Sequence, residues 1–184
     1  MWVFGYGSLM WDGWEERERP VAGLRVDRAV LIEHRRSFNK KSVKNWGTPE
    51  APAPTLGLEP EGNVNCIGTA FEFPNEQRTT IENRLRNREG KSFALVELAV
   101  LLPDGRKVHA LTPVNDRSKR TYIGDISVAQ RVSMAKTAKG KCGTCLDYVR
   151  NIHSKLQSLG IADTDVEEFF TLLESQTRDA AKKT

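Results

Sequence analysis

Long apolar runs are missing from this chain. Over its 184 residues no uninterrupted stretch approaches the roughly 18 residues that a helix needs to cross a bilayer, so no membrane span is expected. Cysteine is scarce and odd in number, Cys66, Cys142 and Cys145 only, which argues for reduced thiols and against a disulfide framework. Zinc ligands also run short: Cys142 and Cys145 form one Cys-x-x-Cys pair, with no second pair and no His-x3-His to complete a site, so no metal is expected. That pair reads either as redox-active or as a turn before a helix that begins near Cys145. No basic segment followed by an apolar stretch and a small-residue cleavage site opens the chain, and a cytoplasmic protein is expected. Helix-turn-helix, RRM and KH signatures are absent as well. The net charge of +4 is visible in Arg35-Arg36, Lys40-Lys41, Arg117 to Arg120, Lys136 to Lys141 and Lys182-Lys183. Without a nucleic-acid motif it reads as a solvated basic surface, whose field attracts an anionic small molecule, and no nucleic-acid partner is expected.

What is present is ordinary for a globular protein, with 39% apolar and 28% charged residues, enough for one domain over residues 1–178 with a basic tail at 179–184. Apolar residues among charged ones predict one long or bent strand over Val21 to Phe38, and four breakers predict a loop over 39–55. Leu56 to Leu58 and Val64 to Phe73 read as a hairpin turning at Glu61-Gly62-Asn63. Gln77, Ile81 and Leu85 have helical spacing after an Asn75 N-cap, and Phe93 to Leu102 turns through Pro103-Asp104-Gly105 into a strand over Lys107 to Leu111. Helices are predicted over Val128 to Lys139, Thr144 to Leu159 and Asp165 to Arg178, with Gly140 and Gly160 as C-caps of the first two. The order gives an α+β fold, a small mixed β-barrel or strongly curved sheet with surrounding helices.

The richest string is Trp2-Val3-Phe4-Gly5-Tyr6-Gly7-Ser8-Leu9-Met10-Trp11, a short strand entering a glycine-flanked turn. Gly5 and Gly7 remove Cβ atoms that would hold a ligand away from the main chain, and Gly7 can adopt the positive φ of a concave backbone nest. Such a turn aims N–H groups at an anionic or carbonyl oxygen. An ordinary buried strand and turn would look the same. Glu89, beside Arg88 and before Gly90, stands where a helix gives way to a strand, and reads either as a solvated pair or as a proton-transfer group. His34, His109 and His153 are widely spaced among polar residues and are assigned no catalysis.

The run from Trp2 to Trp11 resembles the opening of the ChaC-type γ-glutamylcyclotransferases. Trp46 to Glu50 resembles the family's Arg-Gly-Thr-Pro-Glu, Arg88-Glu89 its Arg-Glu, Tyr122-Ile123-Gly124 its Tyr-Ile-Gly, and Gly140 to Tyr148 its Gly-x-Ser-Gly-x-Asn-x-x-Tyr stretch. Asn45-Trp46 and Lys91-Ser92-Phe93 depart from the family pattern. The resemblance implies a compact γ-glutamylcyclotransferase-like barrel. It further implies cleavage of glutathione to 5-oxoproline and Cys-Gly, with Glu89 catalytic, Tyr6, Gly7, Ser8, Leu9, Met10 and Tyr122 binding the substrate, and no cofactor. The alternatives are a cyclotransferase for other γ-glutamyl amines or dipeptides, or a non-catalytic γ-glutamyl-binding module. A serine hydrolase built on Ser8 lacks the second glycine of Gly-x-Ser-x-Gly. The oligomeric state is left open.

Overall fold

Strand β1 (Trp2–Gly5) buries Val3, Phe4 and Gly5 and pairs with a barrel strand on each side. The computed structural model describes residues 1–16, 23–90 and 92–181, so Val21 and Ala22, Lys91, and Lys182-Lys183 lie outside the described residues. The chain divides into two compact units: Met1–Arg35 with Leu58–Asp116, and Arg36–Gly57 with the chain from Arg117 onward.

In the first unit, β1, β2 (Leu24–Leu31), β5 (Cys66–Glu72), β6 (Phe93–Leu101) and β7 (Lys107–Asn115) close a barrel in the order β1-β5-β2-β6-β7. The barrel is mixed: β1 runs parallel to β7, with Val3 opposite Leu111, and the other pairings are antiparallel. Helix α1 (Arg78–Glu89) buries Ile81 and Leu85 against Val3, Leu9, Phe71, Phe73 and Leu111. Burial of such side chains contributes about 1.5–3 kcal/mol each. The helix begins after a 3₁₀ turn at Asn75–Gln77, so Asn75 is not its N-cap; Asn75 Oδ1 instead accepts from the Met1 amino group at 2.6 Å. Gly90 ends α1 at φ +76, donating its N–H to Arg86 at 2.9 Å, which makes Glu89 the last helical residue rather than the first beyond it. Gly105, at φ +87, makes the β6–β7 turn as expected, and β7 runs four residues further than Leu111, to Asn115.

The expected single strand over 21–38 is two strands. Glu33, at φ +56, turns the chain between β2 and β3 (His34–Ser42), and β3 pairs with β4 (Ala53–Pro60) in a separate sheet. Pairing of β4 with β3 therefore overrides Pro54 as a breaker, and the loop shrinks to 43–52, which keeps Pro52. Because β4 pairs with β3 and β5 with β1 and β2, the expected β4–β5 hairpin is a crossover between sheets.

The second unit packs α2 (Val128–Thr137), α3 (Cys145–Ser158) and α4 (Thr164–Ala181), with Phe38 stacked on Phe169 at 3.9 Å. Arg36 is fully buried and bonds Asp163 Oδ2 at 2.7 Å. Gly160, at φ +62, ends α3 with a Schellman pattern, Ile161 donating to Leu156 and Gly160 to Gln157, both at 2.9 Å. Gly140 is no C-cap: Ala138 caps α2, and Gly140 lies in β8 (Lys139–Gly140), paired with Gly143 of β9 (Gly143–Thr144).

Candidate active site

The turn after β1 is a single 3₁₀ turn, Ser8–Met10, closed by Met10 N–H donating to the Gly7 carbonyl at 2.9 Å. Gly7 has φ −127, so the positive φ expected of it is not used; the turn tightens by 3₁₀ geometry instead. Gly5 also has a different reason from the one expected. A Cβ there would lie 2.7 Å from Leu9 Cβ, so the bare backbone lets the turn fold back onto β1. Leu9 joins the barrel–α1 core and Met10 is buried, so neither offers its side chain to solvent.

Three groups pin the turn. Tyr6 is buried and donates its hydroxyl to the Pro113 carbonyl on β7 at 2.8 Å. Arg25 on β2 donates Nη2 to the Met10 carbonyl at 2.7 Å while its Nε bonds Asp27 at 3.0 Å. Burial works against the Arg25 charge, but Asp27 and Glu15 more than offset it and raise its pKa. Arg88 on α1 donates Nη2 to Ser8 Oγ at 2.7 Å. Among the described residues, no hydrogen bond engages the N–H groups of Gly7, Ser8 and Leu9, which start the turn. Successive unpaired N–H groups on a fixed turn form a receptor for an oxygen carrying negative charge.

The same guanidinium reaches the carboxylate. Arg88 Nε donates to Glu89 Oε1 at 3.0 Å and Nη1 forms an ion pair with Asp12. Glu89 is mostly buried, its side chain 15% exposed. Glu89 Oε2 has no hydrogen bond among the described residues. The structure thus joins Ser8 and Glu89 through one residue, which the sequence alone did not assign, although Arg88 stood inside a quoted motif. Asp12 was missed, because a lone Asp beyond the turn carries no pattern.

Ser8 Oγ accepts from a cation, and no histidine hydrogen-bonds to it among the described residues, so it lacks the base that a nucleophilic serine needs. Tyr122 belongs to the second unit, where it pairs with Lys40, lies under the Arg117 guanidinium at 5.9 Å and packs its ring over Gly124. Also in that unit, Trp46 sits 5.3 Å from the Tyr148 ring and Asn45 accepts from Cys142 N–H at 2.7 Å. Cys145 is buried, its thiol 3.3 Å from the Pro54 carbonyl, and burial pushes its pKa up to about 12. It behaves as a small apolar residue at the start of α3, while Cys142 is exposed. No helix among the described residues is long and apolar enough to cross a membrane.

Known proteins resemble this chain at low identity. The chain is 27% identical over 173 residues to the glutathione-specific γ-glutamylcyclotransferase of Escherichia coli, covering 91% of this chain and 70% of that protein. It is 28% identical over 180 residues to γ-glutamylcyclotransferase 2-3 of Arabidopsis thaliana, covering 91% and 85%. The crystal structure of a yeast γ-glutamyl cyclotransferase specific to glutathione matches with a TM-score of 0.83 at 17% identity, covering 95% and 96% of the two chains, a likeness of fold. A family model described as ChaC-like protein matches residues 1–178 without interruption, and this chain belongs to that family.

Proposed function

We propose that this protein is a cytoplasmic γ-glutamylcyclotransferase that converts glutathione to 5-oxoproline and Cys-Gly, with residues 1–178 working as one domain. The observation that carries this reading is the pairing of Glu89 with a turn whose three leading N–H groups are unengaged. Names and activities of the relatives support the substrate.

The reaction is intramolecular. Glu89 takes a proton from the substrate's α-ammonium; the freed amine attacks the γ-amide carbonyl, and the carbonyl oxygen gains negative charge. Gly7, Ser8 and Leu9 N–H groups receive that oxyanion, a contribution of roughly 3 kcal/mol per donor in such sites. As the C–N bond to cysteine breaks, Glu89 gives that proton to the departing nitrogen and then takes the second proton from the ring nitrogen, passing it to the released amine, so that the lactam is neutral, the amine leaves as an ammonium and Glu89 is again ionised. A five-membered lactam and a free amine result, with no water or cofactor consumed. Since attacking and attacked groups share one molecule, the site's task is to fold the γ-glutamyl chain into a near-attack shape.

The test is to incubate the purified protein with glutathione and detect Cys-Gly and 5-oxoproline. N-acetylglutathione should be inert, because its nitrogen can no longer attack. Turnover of the acetylated compound would replace cyclisation by hydrolysis. Turnover confined to other γ-glutamyl amines would keep the reaction and change the substrate, and binding of γ-glutamyl compounds without turnover would leave a binding module.

A further inference from the structure

We infer that Arg88 and Asp12 are positioning residues, a strut that sets the Ser8 turn against Glu89 and fixes which carboxylate oxygen handles the proton; the inference rests on the cyclotransferase reading. Arg88 is the penultimate residue of α1, yet it reaches a hydroxyl 80 positions away in the sequence, at 2.7 Å. Its three nitrogens go to three partners: Nε to Glu89 Oε1, Nη2 to Ser8 Oγ and Nη1 to Asp12. A solvated ion pair at a helix end would need only the first.

The Arg88 side chain is 23% exposed and that of Asp12 17% exposed, so the contacts are partly shielded from water and hold their geometry better than a surface pair does. Asp12 turns the fork so that its two remaining nitrogens meet the turn and the carboxylate together. The consequence is a division of labour within Glu89: Oε1 is held by Arg88, and Oε2 is presented to the substrate amine. A lysine at 88 could serve one of these partners as a point charge, but could not span all three. The cation also offsets the unfavourable position of a carboxylate at a helix C-terminus, where the helix dipole favours positive charge.

The experiment compares Asp12→Asn, Arg88→Gln, Arg88→Lys and the double variant Asp12→Asn/Arg88→Gln with wild type, all as the full chain. Arg88→Gln should lower kcat with glutathione by about 10²-fold, the scale of an ångström-level misplacement, while KM moves less than about 3-fold. Arg88→Lys should recover no more than part of that loss. Asp12→Asn should cost roughly 5- to 10-fold, and the double variant should be no slower than Arg88→Gln within about 2-fold, because both changes dismantle one device. Losses that multiply in the double variant, or a KM change carrying most of the effect, would overturn the strut. Should Arg88→Gln fail to fold, Asp12→Asn and Arg88→Lys carry the same comparison. Amide hydrogen exchange of residues 5–12 reads the strut without activity: exchange should rise at least several-fold in Arg88→Gln and in Asp12→Asn. Unchanged exchange in both overturns the inference even in an active enzyme. Faster exchange in both variants, beside a wild-type protein that turns over no γ-glutamyl amine, sinks the cyclotransferase reading and leaves the strut standing.

Discussion

Asp147 and Glu89 are carboxylates at helix ends, and the two are treated in opposite ways. Asp147 lies in the first turn of α3, where Oδ2 accepts from the Thr144 N–H at 2.9 Å and its hydroxyl at 2.7 Å. Thr144 Oγ1 in return accepts from the Asp147 N–H at 3.1 Å, completing a capping box. The Thr144 hydroxyl and backbone hydrogen bonds hold the Asp147 carboxyl below its usual value, and the helix dipole favours the charge there. Glu89 lies at the other kind of end, the last residue of α1, where the dipole disfavours an anion by about 0.3–1 kcal/mol. The helix end itself accounts for Asp147, whereas the end of α1 disfavours Glu89. A carboxylate that its own helix does not want, one oxygen tied to an arginine and the other without a hydrogen bond among the described residues, is placed for something outside the helix.

The largest expected effect separates the two. Glu89→Gln should leave the fold and substrate binding intact and lower kcat by roughly 10² to 10⁴, the range for a general acid–base group. Asp147→Asn should leave kcat within about 2-fold. Steady-state assay of both purified variants checks the contrast, and near-wild-type turnover by Glu89→Gln would remove Glu89 from the chemistry.

A smaller effect comes from the backbone that faces Glu89. Gly5→Val would drive a branched side chain into Leu9, whose Cβ already lies 2.7 Å from where the new Cβ would sit. Overpacking of this kind costs about 1–3 kcal/mol, and here it also displaces the Ser8 turn. Turnover should fall by about 10-fold or more, with a lowered Tm; an undisturbed Tm would show that the turn can move away freely. Ser8→Ala should be milder still, roughly 3- to 10-fold, because it removes one of the three Arg88 contacts and no backbone donor. Equal damage from Ser8→Ala and Glu89→Gln would favour a serine nucleophile.

The contrast between the helix ends also marks how far the sequence could be read. The barrel strands, α1 and the helices from Val128 onward follow from periodicity and turn residues, since Ile81 with Leu85, Gly105 and Gly160 act through local physics. The break at Glu33 was hidden, because a glutamate gives no sign that it will take φ +56. Only Leu56 to Leu58 of β4 was legible; its start at Ala53 was hidden by Pro52 and Pro54, and the breaking effect of Pro54 yields to the pairing of β4 with β3. At the site, the glycine-flanked turn and Arg88-Glu89 were legible as motifs, but their connection was not. Arg88 meets Ser8 and Asp12 only because α1 packs its Ile81 and Leu85 onto the barrel beside β1. Long-range hydrogen bonds of that kind leave no periodic trace. What the fold itself needs of Gly5 was hidden for a related reason: its neighbour is Leu9, four residues on, and close approach within the turn looks the same in sequence as close approach to a ligand.

The smallest effect is thermodynamic and tests the other half of the comparison. If Asp147 serves only α3, then Asp147→Asn should lower Tm by about 1–4 °C at neutral pH, as expected for loss of one favourable charge at a helix N-terminus. The folded-state pKa of Asp147 is depressed, so its stabilisation is fully present above the ordinary value of 3.8 and disappears as pH falls through the lower folded value. The Tm difference between wild type and Asp147→Asn should therefore be constant from neutral pH down to about pH 4 and close below it. Asp104, held by the Arg106 backbone and side chain, titrates alike in both proteins and cancels in the difference, whereas Glu174 shares Arg150 with Asp147 and leaves a smaller residual. Thermal unfolding of the pair at closely spaced pH values reads it directly. A difference that persists unchanged well below pH 3 would mean that the carboxamide fails sterically in the capping box, and that charge is not what Asp147 contributes.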